Sequence, residues 1–221
     1  MRKVEELINE ADPGWPFVQE WIEAATNKVE VLAVDPKRAT DALYKTQVST
    51  RSPMGAIIYM TGGILIDDGW IRILGSGSPE LNRSLPDWNK GKAFDNFGDA
   101  PPFLIVADDI LGGFFAINSG GLGEDAGKIY YFAPDSLFFE ALDLSYSDFL
   151  TFCFNNDLDS FYRGFRWQDW RTEVSKASGD QAFNFVPFLW TAEGKNIETN
   201  SRKLIPVEEL YQLNLSFKEQ L

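Results

Sequence analysis

The chain has 221 residues, of which 44% are hydrophobic and 24% are charged, and its formal net charge is −13. This length and balance allow a full hydrophobic core and predict one domain over residues 1–221. The chain has no histidine and a single cysteine, which excludes histidine-dependent nucleophilic catalysis, the usual His or Cys zinc sites and an intrachain disulfide.

The N-terminal part of the chain carries three helix-start signals. Asp-Pro pairs stand at positions 12–13 and 35–36, and a Ser-Pro pair stands at 52–53 before MGAIIYMTGG. Each pair offers an N-cap side chain followed by a proline that suits the first helical turn. We therefore predict N-terminal helices over residues 1–49 and a third helix that Gly62 is placed to end.

The middle of the chain is predicted to be β-structure. The run ILI-DDG-WIRIL indicates a hairpin with a tight acidic turn. The runs FLIVA, GFFAIN and KIYYFA indicate three more short strands, separated by glycines. Ser145 then begins a helix, SYSDFLTFCFNN, whose apolar stripe includes Phe149, Phe152 and Cys153.

The last third is predicted to be helical and irregular. FYRGFRWQDWRTEV favours a helix, FVPFLW an extended segment, and Pro206 opens VEELYQL. In the first of these, Arg163 and Arg166 precede Trp167 and Trp170 by four residues, which suits cation–π pairs better than nucleic-acid binding in so acidic a chain. Helices, then mostly antiparallel strands, then helices predict an α+β fold.

The glycine-rich stretch at 107–135 does not match a phosphate-binding loop. Its G-x-G-x-x-x-G run at 121–127 is one residue longer than the dinucleotide fingerprint, and Ile129 stands where a P-loop has Ser or Thr. A strand follows the glycines rather than a helix. We therefore interpret the glycines as turn residues and predict no cofactor.

Carboxylates are the remaining side chains that could supply catalysis. The run DLDSFYRG breaks the EF-hand pattern, and we predict no metal site. A glycosidase needs two carboxyl groups roughly 5–10 Å apart, often with aromatic rings that stack on sugars. Neighbouring acids on a strand face opposite sides, so a cross-strand pair such as Asp68 with Asp109 would be required. The candidates are Asp67, Asp68, Asp108 and Asp109, near Trp70 and Trp88.

Negative charge is concentrated in one part of the chain. Between Lys92 and Arg163 the one basic residue is Lys128, against twelve acidic residues, which gives −11. Two interpretations stay open: a solvated surface, or a field that attracts a basic partner and repels nucleic acid and anionic membranes. The acids are Asp95, Asp99, Asp108, Asp109, Glu124, Asp125, Asp135, Glu140, Asp143, Asp148, Asp157 and Asp159.

The N-terminus MRKVEELINE has no apolar segment of the kind found in signal peptides. The longest apolar runs are far shorter than the ~20 residues that span a bilayer. Cys153 lies in an apolar run, which favours a buried, inert thiol. We expect a cytoplasmic protein that does not bind membranes.

Two segments carry a resemblance to known proteins: GGILIDDGWIRILGSGSPELNRSLPDWN and ADDILGGFFAIN, the latter followed by GKIYYFAPDSL and YSDFL. The sequence resembles a bacterial family of unknown function that shares GWxRxLGSG and ADDxxGGFFAxN segments. More loosely, residues 50–155 resemble the SUKH superfamily, which includes immunity proteins against secreted toxins and regulators of cell-wall synthesis. The resemblance implies an α+β fold with a curved, mixed, largely antiparallel sheet, a family-specific part at 156–221, and binding rather than catalysis.

These observations predict a non-enzymatic module that binds a protein partner, such as a basic toxin or a cell-wall-related factor. The alternative is a carbohydrate-binding protein or a carboxylate-dependent glycosidase. We predict no nucleic-acid partner, and the oligomeric state stays open. The residues predicted to share a partner-binding surface are Asp67, Asp68, Trp70, Arg72, Asp108, Asp109, Glu124 and Asp125.

Overall fold

The computed structural model describes residues 1–220, and its main feature is a seven-stranded sheet in the chain order β1 to β7. Every neighbouring pair in it is antiparallel, and the sheet does not close into a barrel. The predicted α+β fold is confirmed. The strands are β1 Val29–Leu32, β2 Gly63–Ile66, β3 Ile71–Leu74, β4 Phe103–Asp109, β5 Phe114–Asn118, β6 Ile129–Phe132 and β7 Phe139–Ala141.

Helices flank this sheet, and a second, two-stranded sheet lies in the C-terminal third. The hairpin strands are β8 Gln181–Val186 and β9 Ser201–Pro206, and the last helix packs on both. The helices are α1 Val4–Leu7, α2 Trp15–Glu23, α3 Pro36–Thr46, α4 Pro53–Met60, α5 Leu85–Asn89, α6 Tyr146–Asn155, α7 Leu158–Phe161, α8 Trp170–Val174 and α9 Val207–Lys218.

Local capping explains where most of the longer helices begin. The carboxylate of Asp35 accepts from two amides of the first turn of α3, and the hydroxyl of Ser52 accepts from one amide, that of Gly55, in α4. Ser145 and Asp148 form a capping box at α6. Helix α2 differs from the prediction, because it begins at Trp15 with Gly14 as its N-cap.

The hairpin turn between β2 and β3 forms where the DDG signal predicted it. Asp67, Asp68 and Gly69 all adopt positive φ, at 52°, 63° and 88°. Two successive left-handed residues match the right-handed twist of the flanking strands, and Asp tolerates this conformation better than most residues.

The long helix predicted over FYRGFRWQDWRTEV does not form. Two short helices, α7 and α8, are separated by an irregular segment in which Gly164 has φ of 86°. The helical spacing of the apolar residues wrongly predicted one continuous helix here. Trp167 lies in the irregular segment between the two helices, and its ring packs on Trp70 without a helical backbone. The predicted extended segment FVPFLW overlaps the end of β8.

The hydrophobic core draws on every part of the chain. Ile57 from α4, Trp70 from the hairpin, Phe149 from α6 and Trp167 from the C-terminal third are all nearly or fully buried in one cluster. Cys153 is also fully buried, and burial raises the pKa of its thiol well above the ordinary value, as expected for an inert thiol.

Candidate functional site

Five of the eight residues predicted to bind a partner are buried: Asp67 is 8% exposed, and the other four lie deeper. Trp70, Arg72, Asp108 and Asp109 are no more than 1% exposed, so they cannot contact a partner of the folded chain. The prediction that they share a surface is wrong for these four. The physical reason is that the C-terminal third covers this part of the sheet and pairs with its polar groups.

Arg72 and Asp108 form the centre of a buried ion network. Arg72 Nε donates to Asp108 Oδ1 at 2.5 Å, and Arg83 Nη1 donates to Asp108 Oδ2 at 2.5 Å. Arg72 also donates to the backbone carbonyl oxygens of Gln181 and Asp109, at 2.5 and 2.7 Å. Each carboxylate oxygen therefore meets a guanidinium, as a buried charge requires. The network ties β3 and β4 to β8.

Asp109 is buried beside this network and accepts four hydrogen bonds. Its Oδ1 accepts from the amides of Leu111 and Gly113 at 2.9 and 2.8 Å, and its Oδ2 accepts from the hydroxyls of Tyr131 and Tyr162 at 2.6 and 3.0 Å. Burial raises the pKa of Asp109, and the hydrogen bonds from Tyr131, Gly113 and Tyr162 together with the positive charge of Arg72 oppose that rise. A Cβ at position 113 would lie 2.3 Å from the Tyr131 hydroxyl, so glycine is required there.

Asp67 and Asp68 are neutralised by cations of the same chain. Asp67 Oδ2 lies 2.6 Å from Arg166 Nη2, and Asp67 Oδ1 lies 3.0 Å from Arg171 Nη2. Asp68 forms an ion pair with Lys28 and lies 3.7 Å from Arg171 Nε. The turn thus ties the sheet to the C-terminal third, and this use leaves little free charge for a partner.

Trp70 packs in an aromatic cluster beneath the same turn. Its ring centroid lies 5.3 Å from that of Tyr162, 5.8 Å from Trp167 and 4.7 Å from Trp170. The guanidinium of Arg166 lies 4.7 Å from the Trp70 ring and 4.3 Å from the Trp170 ring. Arg166 and Trp170 therefore interact as the sequence spacing suggested, although no continuous helix joins them.

The last two predicted residues lie in the loop between β5 and β6. Glu124 is exposed. Asp125 accepts a hydrogen bond from the Tyr130 hydroxyl, which lowers the pKa of this aspartate. Both side chains remain near the surface, in contrast to the five buried residues, and their role in binding stays a prediction.

Most of the concentrated negative charge is not compensated within the chain. Among residues 1–220, ten of the twelve acids between Lys92 and Arg163 form no ion pair; Asp108 and Asp159 are the two that do. Five of the ten lie on β7 or in the loops that flank β6 and β7. We call these five the acidic edge: Glu124, Asp125, Asp135, Glu140 and Asp143.

The acidic edge lies at the open side of the sheet. In the part of the chain that the structure describes, β7 pairs with β6 alone, which leaves one side of β7 without a strand. Phe138, directly before β7, is 58% exposed. The free side of an edge strand presents backbone donors and acceptors, and an exposed aromatic side chain next to it adds apolar contact area.

A cavity of about 180 Å³ opens beside the acidic edge. We call it the β7 pocket. Asp135 and Glu140 contribute the carboxylates, and desolvation together with the negative charge of Glu140 raises the pKa of Asp135. The other lining residues are Leu111, Tyr131, Ala133, Pro134, Leu142, Phe161, Tyr162 and Phe165.

A larger cleft, of about 400 Å³, lies between the α5 region and the start of α9. Its aromatic residue, Trp88, is 4% exposed, and Arg83 and Lys92 lie over its ring at 4.4 and 4.1 Å. Neither Trp88 nor the buried Trp70 presents a face on which a sugar could stack. Asp109 is equally inaccessible, so the Asp68–Asp109 pair considered for glycoside hydrolysis cannot reach a substrate.

Within residues 1–220, membrane-spanning helices and clusters of metal-ligating side chains are both absent. No helix in that range combines the length and the apolar character needed to cross a bilayer. No group of three or more Cys, Asp or Glu side chains there is arranged to hold a metal ion.

Comparison with known proteins shows the family. Residues 4–210 match the model of a family described as "Protein of unknown function DUF2625". The chain is 45% identical over 219 residues to the uncharacterized protein YbfG of Escherichia coli (strain K12), covering 99% of this chain and 98% of YbfG. It is 41% identical over 220 residues to an uncharacterized protein of Haemophilus influenzae (strain ATCC 51907 / DSM 11121 / KW20 / Rd), covering 100% of this chain and 96% of that protein. The predicted membership of a bacterial family of unknown function is confirmed: the chain belongs to the DUF2625 family.

Proposed function

We propose that this protein is a non-enzymatic, cytoplasmic binding module that engages a basic protein partner through the acidic edge. The observation that carries the proposal is the uncompensated charge: five carboxylates without an ion pair lie beside the free side of the edge strand β7. The proposed surface includes Asp135, Glu140 and Asp143 in place of the buried Asp108 and Asp109.

Electrostatics supports a basic partner. Carboxylates that are not paired within the chain project a negative field into solvent, which accelerates encounter with a positively charged surface and opposes nucleic acid. Lys128 is the one basic residue in the chain segment that holds the acidic edge, and its Nζ donates to the backbone oxygen of Asp143. Lys195 near Asp135 and Lys218, whose Nζ lies 5.7 Å from the centroid of the Phe139 ring, are two further cations nearby. The five carboxylates of the acidic edge still outnumber these three lysines, and within the described residues none of the three forms an ion pair with them.

The edge strand supports a protein rather than a small molecule. A partner strand could add to β7 through main-chain hydrogen bonds, while Phe138 packs against its side chains. The short length of β7 and its acidic neighbours oppose pairing between two copies of this chain, because like charges would meet.

The resemblance to the SUKH superfamily supports an immunity role as the specific form of this function. A basic secreted toxin, or a basic factor of cell-wall synthesis, would be the partner. This assignment draws on the glycine and aromatic motifs of residues 50–155 and on the charge of the acidic edge.

The test compares two variants of equal charge. The first replaces the five acids of the acidic edge by their amides. The second replaces five exposed, unpaired glutamates of the N-terminal part by glutamine. Proteins captured from extract of the source organism by the wild type would be purified and their binding rates measured at low and moderate salt. The glutamates of the second variant are Glu5, Glu10, Glu20, Glu23 and Glu30.

We expect a basic protein whose association rate falls about tenfold or more in the acidic-edge variant and by less than about twofold in the control. The wild-type rate should also fall with salt. An association rate that is equal in both variants, or that does not change with salt, would contradict the proposal.

A further inference from the structure

We propose that the β7 pocket receives an arginine side chain of the partner. This inference rests on the proposed function, because it specifies which group of a basic partner the acidic edge recognises. The shape of the pocket, its aromatic walls and the position of its two carboxylates carry the argument.

The walls of the pocket suit a long side chain with an apolar stem. Leu111 and Leu142 offer aliphatic contacts, and Phe161 and Phe165 are half-buried, so their rings remain partly accessible from the cavity. Aromatic faces also attract a cation that lies over them, most often a guanidinium. A methylene stem and a planar charged head group therefore both find matching surfaces.

The carboxylates suit the charged head group. Asp135 and Glu140 line the same cavity, and neither forms an ion pair within residues 1–220. Glu140 accepts one hydrogen bond, from the Ser136 hydroxyl at 2.9 Å. Lys195 is a nearby cation but lies beyond ion-pair distance of Asp135. Burial, and to a lesser extent the negative charge of Glu140, raises the pKa of Asp135. A guanidinium placed between the two carboxylates would offset their repulsion.

Arginine fits these features better than lysine. Its head group is planar, so it can lie against an aromatic ring while its N–H groups donate to two carboxylates at once. A lysine ammonium is a compact, strongly hydrated charge that gains less from an aromatic wall.

Two of the lining residues, Tyr131 and Tyr162, are held in place before any ligand binds. The hydroxyls of Tyr131 and Tyr162 both donate to the buried carboxylate of Asp109. Phe115 stacks on Tyr131 with ring centroids 4.6 Å apart. Rigid walls reduce the conformational entropy lost on binding.

The test uses N-acetyl-arginine methylamide as the probe and the corresponding citrulline compound as its neutral analogue. Binding to the full-length protein would be followed by chemical-shift changes in the aromatic NMR spectrum. We expect saturable shifts for Phe161, Phe165 and Tyr131 with the arginine probe, and at least about tenfold weaker binding of the citrulline probe.

Two double variants separate the pocket from the general field. Asp135→Asn with Glu140→Gln removes both pocket carboxylates and should weaken binding of the arginine probe about tenfold. Glu124→Gln with Asp143→Asn removes the same charge from the acidic edge outside the pocket and should change affinity less than about twofold. Backbone amide spectra confirm that each variant is folded.

Equal weakening in the two double variants would overturn the pocket assignment and leave the acidic edge as a general electrostatic surface. Absence of saturable shifts with the wild type, or equal binding of the two probes, would also overturn it. A different result would contradict the proposed function: the variant that lacks all five acids of the acidic edge would bind the partner as fast as the N-terminal glutamine variant does.

Discussion

Arg72 and Asp108 lie opposite each other on β3 and β4, and the sheet places both charges in the core. A buried ion pair adds little stability compared with a well-packed apolar pair, because both ions lose their hydration. Removing one partner is different, since the remaining charge stays buried without compensation. Here the carboxylate serves two guanidinium groups, those of Arg72 and Arg83.

We expect Asp108→Asn to lower the free energy of unfolding by about 3–5 kcal/mol. The amide leaves the Arg72 charge buried without a counter-ion and weakens the tie to Arg83. Urea unfolding followed by tryptophan fluorescence would measure the loss. Asp95→Asn, at an exposed site without an ion pair, should change stability by less than about 0.5 kcal/mol. A loss below about 1 kcal/mol for Asp108→Asn would contradict this account.

At the scale of elements, the C-terminal third is fastened to the sheet by aromatic and ionic contacts together. Trp167 and Trp170 pack on Trp70, and the first residue of β8 accepts a hydrogen bond from Arg72. Within that third, Glu173 of α8 and Arg202 of β9 form a paired contact at 2.8 and 3.0 Å. Such bidentate geometry is stronger than a single ion pair.

We expect the fragment 1–156 not to fold. Without residues 157–221, Trp70 loses Tyr162 and both tryptophan neighbours, and the polar groups of Arg72 lose the Gln181 carbonyl oxygen. A buried polar group without a hydrogen-bond partner and a core that lacks some of its side chains both lower the free energy of unfolding. The amide NMR spectrum of the fragment should show poor dispersion. A well-dispersed spectrum with cooperative unfolding would show instead that residues 1–156 form an independent domain.

Glu173→Gln should make stability less sensitive to acid. The hydrogen bonds from Arg202 lower the pKa of Glu173 in the folded state below its ordinary value of 4.5. Because the folded pKa is the lower one, the stabilisation is present above pH 4.5 and is lost as the pH falls through the folded pKa. We expect Glu173→Gln to cost about 1 kcal/mol at pH 7 and almost nothing near pH 3.

The measurement is urea unfolding at a series of pH values, with Glu219→Gln as the control. Glu219 is exposed at the end of α9 and forms no ion pair within the described residues. A difference between wild type and Glu173→Gln that stays constant from pH 7 to pH 3 would show that the carboxylate charge contributes nothing to stability.

At the scale of the whole molecule, the net charge of −13 opposes folding through self-repulsion. The unpaired acids of the acidic edge concentrate that repulsion at one side of the sheet. This repulsion is compatible with a binding surface, because a bound basic partner would neutralise the carboxylates. A net charge of this size also opposes association between copies of the chain.

We expect the melting temperature to rise by about 2–5 °C when NaCl is raised from about 20 mM to about 500 mM, because salt screens the repulsion. The variant that lacks the five acids of the acidic edge should show a smaller rise. Differential scanning calorimetry provides the measurement. A melting temperature that falls with salt would mean that attractive ion pairs, not repulsion, dominate the electrostatic energy.

The elements predicted correctly are those whose signals are local. The caps at Asp35, Ser52 and Ser145 and the DDG turn act within a few residues, so α3, α4, α6 and the first hairpin follow from the sequence. Strands β1, β7 and β9 were not predicted. β1 and β7 are short and are defined by pairing with a partner strand, and β9 pairs with β8 in the C-terminal part that was predicted to be helical and irregular. The helix over residues 161–174 was predicted wrongly, since apolar spacing does not report a break at Gly164.

By itself, the sequence determined the α+β class, the positions of most turns and caps, the concentration of negative charge and the family. The tertiary structure decided which acids are available. Asp108 and Asp109 look like surface turn residues in the sequence, yet both are fully buried in the folded chain. Asp108 pairs with Arg72 and Arg83, and Asp109 accepts hydrogen bonds from Tyr131 and from Tyr162 of the C-terminal third. Burial and ion pairing depend on residues more than twenty positions away, which local patterns do not encode, so only the folded chain separates structural acids from those of the acidic edge.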